Sequence, residues 1–109
     1  MQTMTIPRRF RGPPNSGNGG YVCGMLARQI AGAAEVTLRA PPPLETELGL
    51  VEVGTGEWEL RHGTATIAIG RAVTLALSQV ERATYAEAIE AAKRTPFKPH
   101  EHLLPMCFV

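Results

Sequence analysis

The sequence predicts an α+β fold: a curved, mostly antiparallel β-sheet wrapped around one central buried helix, with a second, amphipathic helix towards the C-terminus. Three observations carry this. A glycine-rich turn, Asn15-Ser16-Gly17-Asn18-Gly19-Gly20, runs into a segment whose only polar residues between Val22 and Ala34 are Arg28 and Gln29. A helix apolar on almost every side cannot lie on a surface as an amphipathic one does, so something must wrap it. Four alternating strands follow, and hairpin-length connections make antiparallel neighbours, because parallel pairs need long crossovers.

Taken in order, Met1 to Ile6 alternates weakly and predicts a short edge strand ending at Pro7. Arg8, Arg9 and Arg11 then surround Phe10, and Gly12-Pro13-Pro14 makes a stiff, helix-excluding approach to the glycine turn. Asn18 suits an N-cap, its side chain accepting from an amide one turn on. The helix is expected over 18–32, with Gly32 as its stop.

Glu35 to Ala40 places Val36, Leu38 and Ala40 opposite Glu35, Thr37 and Arg39, the pattern of a half-buried strand that Pro41-Pro42-Pro43 ends. In Leu44 to Val53 the phase slips between Leu48/Leu50 and Val51/Val53, which predicts a bulge near Gly49. Gly54-Thr55-Gly56 turns into Glu57–Arg61, with Trp58 and Leu60 facing inward. Thr64 to about Leu77 is the longest strand expected, with bulky odd positions (Ile67, Ile69, Val73, Leu75, Leu77) and small even ones. Thr84-Tyr85-Ala86-Glu87 is a capping box that opens a helix with the stripe Tyr85, Ala88, Ile89, Ala92, expected to pack on the sheet or a neighbouring subunit. Pro96 and Pro99 end that helix, and the chain closes on the apolar run 103–109.

Composition narrows the function classes. One domain spanning 1–109 fits the length, with its core about 1–80 and the helix and apolar tail in 81–109. A formal net charge of +1 argues against a broad basic nucleic-acid face. Cys23 and Cys107 form no disulfide framework and read as free thiols of a reducing compartment. No signal-peptide pattern and no membrane-length apolar run are seen, so the expectation is a cytoplasmic protein with no membrane partner. All ten acidic residues are glutamates, so a catalytic carboxylate would be a glutamate or come from another chain.

The element order, with Asn18-Gly19-Gly20 opening the helix and Val36-Thr37-Leu38-Arg39-Ala40-Pro41 following it, resembles the hotdog-fold superfamily, and within it the acyl-CoA thioesterase-like branch, over roughly residues 1–80. The Asn-Gly-Gly turn is similar to the His-Gly-Gly or Gly-rich turn of many members. There, a backbone amide at the helix N-terminus polarises the carbonyl of an acyl thioester. The resemblance implies that Gly19, Gly20 and Tyr21 supply that amide, and that Asn18 stands where some members carry His. The family's helix carboxylate, two to three turns in, falls here on Ala27 and Arg28. The resemblance therefore implies an acyl-CoA thioesterase-like protein with Asn18 and Gly20 at the reacting carbonyl. Its alternatives are a non-catalytic protein binding acyl-CoA or a lipid-like ligand, and a structural half-domain of a longer double-hotdog arrangement. It implies at least a homodimer, joined sheet edge to edge, and no cofactor beyond coenzyme A as part of the substrate or ligand.

Each candidate residue has a plain alternative. Asn15 to Gly20 is a carbonyl or phosphate cradle, or a turn in which glycines let helix and sheet approach. Arg8, Arg9 and Arg11 are contacts for the phosphates of coenzyme A, or a solvated loop. Tyr21 and Trp58 line an acyl pocket, or are core. Cys23 is a nucleophile, or a small buried residue. Glu45, Glu47, Glu57 and Glu59 are read on outer strand faces, from which one could reach a site across a dimer. His62 is a turn residue. His100-Glu101-His102 has ligand residue types without a full set of partners, so no metal is expected.

Overall fold

The computed structural model describes residues 2–96. Five strands form a single antiparallel sheet: β1 (Gln2–Thr5), β2 (Ala34–Leu38), β3 (Glu47–Gly54), β4 (Glu57–His62) and β5 (Ala65–Ala72). Their order is β1-β3-β4-β5-β2, so β1 and β2 are the edges. A 3-10 turn, η1 (Arg8–Phe10), and the first helix, α1 (Gly19–Ala27), lie between β1 and β2, and the second helix, α2 (Tyr85–Ala92), follows β5. Gly56 and Gly63 sit at positive φ in the β3–β4 and β4–β5 turns, a conformation that a side chain disfavours.

The α+β class and the antiparallel sheet are as predicted, and α1 lies on one face of an open sheet. The expectation that α1 is buried on all sides is corrected. It packs through one stripe, Val22 and Leu26, onto Met4, Ile6, Leu48, Leu50, Leu60, Ile67 and Ala68, and Ile30, buried beyond its end, lies over Gly70. Gly20 and Gly24 are exposed, while Cys23 and Ala27 are half-buried. A side built from glycine, alanine and cysteine carries little apolar area, so it gains little from being covered. The helix is also shorter than the expected 18–32. After Ala27 the chain tightens, with the Gln29 amide donating to the Leu26 carbonyl and that of Ile30 to Ala27, both one residue short of the α-helical step. Gly32, at φ 80°, belongs to the loop before β2.

Three strand expectations change. Gly49 pairs regularly with Thr3 and Arg61, and the irregularity of β3 lies between Glu52 and Gly54. Val51 simply occupies the face opposite Leu48 and Leu50. Register also shifts between Leu60 and Arg61, whose β5 partners are Ala68 and Thr66. That irregularity leaves Ile67 outside the pair-by-pair match, buries both Ile67 and Ala68, and sends Ile69 to the face away from α1. The small positions of β5 therefore face the helix: a Cβ on Gly70 would meet Ile30 at 3.1 Å and Leu26 at 3.3 Å. Finally, β5 stops at Ala72 and does not reach Leu77. Ala72 is the last residue paired with β2 and donates to Gly56 in the β3–β4 turn, so both flanking partners end there. Leu75 and Leu77 keep their alternation but are exposed.

The capping box of α2 forms as expected, with the Thr84 side chain accepting from the Glu87 amide. Its stripe does not pack on the sheet, since Tyr85 is 83% exposed and α2 buries no residue. The apolar run 103–109, Cys107 and the His100–His102 cluster lie outside the described residues.

Candidate functional site

The glycine turn is held from below by the proline run. Gly17 donates to the Pro42 carbonyl at 2.8 Å, and Ser16 bridges to Pro43, so Pro41-Pro42-Pro43 supports the loop that opens α1. Gly17 is buried where a Cβ would lie 2.8 Å from Val22 and 3.2 Å from Ile6, which leaves glycine as the residue that fits. Asn18 caps α1 as predicted: its backbone is extended and its Oδ1 accepts from the Tyr21 amide at 3.0 Å.

That cap changes the expected donor set. The Tyr21 amide is taken by Asn18, so it does not stand ready for a ligand carbonyl. The two amides before it, of Gly19 and Gly20, lie in the first turn, where no helical acceptor exists. Among the described residues neither has a hydrogen-bond acceptor. Gly20 is exposed, and a Cβ there would touch only Asn18 Oδ1, at 3.4 Å. Gly19 is half-buried against Leu38 of β2, whose Cδ1 lies 3.2 Å from an added Cβ.

The arginine segment is brought to this turn. The Asn18 amide donates to the Phe10 carbonyl at 2.8 Å, and the Phe10 ring stacks on Tyr21 with centroids 4.1 Å apart. Arg9 lies over the other partner of that stack, its guanidinium carbon 4.6 Å from the Phe10 centroid. Arg11 folds back to donate to the Arg8 carbonyl at 3.1 Å. Asn15 is exposed in the turn that Ser16 closes by donating to Pro13. Arg8, Arg9, Arg11, Tyr21, Gly19 and Gly20 thus share one end of α1.

Trp58 is elsewhere. It is half-buried on the helix side of the sheet, opposite Gly70, and Gly70 lies under Leu26 and Ile30, towards the C-terminal end of α1. The sequence cannot separate these places, because inward orientation on a strand says nothing about which end of a helix lies above it.

Glu47, Glu57 and Glu59 point to the face of the sheet away from α1 by strand alternation from Leu48 and Leu60. Glu59 is engaged there by Arg61 at 2.7 Å and by the Thr66 hydroxyl at 3.3 Å. Glu45, expected on a strand, precedes β3 at φ 50°, and its carboxylate accepts from the Arg8 amide while its own amide donates to Ile6. It ties η1 to the start of β3. Cys23 is half-buried, and burial pushes its thiol up from the usual range, which keeps it protonated and works against a nucleophilic role.

Sequence pattern does not mark Phe10 and Leu38 as site residues. Their contacts join segments distant in sequence, and only the Arg-Phe-Arg context of Phe10 offered a signal. No family model, curated protein or solved structure matches this chain at a significant level. Among the described residues, no helix is long and apolar enough to cross a membrane.

Proposed function

We propose that this chain is a hotdog-like domain that binds an acyl-CoA or similar acyl thioester at the N-terminus of α1. The supporting observation is the pair of amides on Gly19 and Gly20, without acceptors among the described residues, beside an arginine-bearing turn tied to the same helix end. Two amides at the positive end of a helix dipole suit a polarised carbonyl oxygen. Guanidinium groups nearby suit the phosphates of coenzyme A. A pairing of two copies along the β2 edge would bring Leu38, and with it Gly19, to the seam.

A second reading, binding without turnover, is favoured by what lies along the helix. Ala27 and Arg28 stand where a base was expected, and Glu47, Glu57 and Glu59 face away.

The test is thiol release from acyl-CoA thioesters of graded chain length, alongside equilibrium binding of the same compounds. Gly19→Pro deletes one amide at a position whose backbone suits proline, because Asn18 before it is already extended (φ −60°, ψ 127°), and the ring's Cβ would meet only the end of the exposed Leu38 side chain, at 3.2 Å. Gly20→Ala adds a methyl at the exposed head of the helix, 3.4 Å from Asn18 Oδ1. If both variants melt like the parent and lose binding, the reading stands; undiminished binding by both sinks it. Binding without thiol release selects the second reading.

A further inference from the structure

A groove of about 350 Å³ runs between β1 and the C-terminal flank of α1, at the other end of the helix from Gly19 and Gly20. It exists because α1 lies mainly over β2, β5 and β4, leaving its flank raised from the β1 side of the sheet. Met4 and Leu50, nearly buried core residues, form the floor with Met25. Thioether side chains are polarisable and adapt to irregular ligands. The rim is polar: Gln2 and Gln29 contribute amides, and Arg28 contributes the only charge in the lining. The Arg28 guanidinium touches Met25 Sδ at 3.9 Å and, among the described residues, has no carboxylate partner. On the opposite face of the sheet the hollow that Arg39 lines contains an acid, Glu35, which Arg71 engages at 2.7 Å; no acid lines the groove at Arg28.

An apolar floor with a single unpaired guanidinium on its rim is complementary to a carbon chain with an anionic head. The geometry points to a binding site for a short aliphatic carboxylate, its chain on Met4, Met25 and Leu50 and its carboxylate on Arg28. The groove lies at the small end of ligand sites, about 300–1,000 Å³, which suits a chain of about six to eight carbons. This inference does not rest on the acyl-thioester reading, because the two sites use different residues at opposite ends of α1.

Hexanoate and octanoate, titrated into the full chain with the methionine methyl resonances as readout, test it. The methyls of Met4 and Met25 should shift saturably. Octanoate should bind more tightly than hexanoate by about two- to fourfold per added methylene, as expected for carbons leaving water. Arg28→Gln should weaken octanoate about tenfold, the loss of a charge-assisted contact, while leaving 1-octanol unchanged. Arg28 is exposed, so the variant should keep the parent's methyl dispersion. The inference is overturned if millimolar octanoate leaves both methyls unmoved, if Arg28→Gln binds octanoate as the parent does, or if 1-octanol binds as tightly as octanoate.

Discussion

The rings of Phe10 and Tyr21 stack with centroids 4.1 Å apart and planes 11° apart, fastening η1 to the first turn of α1. The contact is reinforced in the backbone by the Asn18 amide donating to the Phe10 carbonyl. Arginines and helix amides therefore keep a fixed relation. A double-mutant cycle of Phe10→Leu and Tyr21→Leu should give a coupling of about 0.5–1.5 kcal/mol, the usual worth of an aromatic pair beyond its buried area. Additive single-variant effects in urea melts would show that the stack does not fasten the turn.

Asn18→Ala should cost about 1 kcal/mol, since it orphans the Tyr21 amide. It should also add a third amide without an acceptor at the head of α1. Asn18→Asp, whose carboxylate still accepts from that amide, should retain most of the stability. Equal losses in the two variants by thermal melting would contradict the capping role.

Two glycines should respond in opposite directions. Gly70→Ala places a methyl 3.1 Å from Ile30 and 3.3 Å from Leu26, overpacking that should cost about 1–3 kcal/mol. Gly24→Ala meets nothing within 4 Å in mid-helix and should stabilise by about 0.5–1 kcal/mol. Chemical denaturation of both variants measures the contrast, and a destabilised Gly24→Ala would mean that the outer side of α1 is covered in solution.

Cys23 supplies a pH test. Its folded thiol is raised by burial above the unfolded value, so the folded state holds its proton longer. Its contribution is fully present below the ordinary thiol range and falls as pH rises through the raised folded value. Alkylation of Cys23 by iodoacetamide should be slower in the folded chain than in urea at mildly alkaline pH. Cys23→Ala should flatten the alkaline decline in stability; an unchanged decline would assign it to other groups.

The Asn18 cap, the edge strand ending at Pro7, the inward Trp58–Leu60 pair and the Thr84–Glu87 capping box were legible in the sequence by itself. Each is a local matter, set by side-chain periodicity or by hydrogen bonds spanning a single turn. Tertiary structure decided the rest. Ile69 turns outward because β5 slips against β4, a relation between strands that one strand's alternation cannot encode. β5 ends at Ala72 because its neighbours end, although Val73, Leu75 and Leu77 keep the strand pattern. At the site, the glycine turn announced free amides, but which ones depended on the cap taking Tyr21. The approach of Arg9 and Phe10 to that helix end, and the separation of Trp58 from it, depended on contacts between segments far apart in the chain, which local sequence pattern does not constrain.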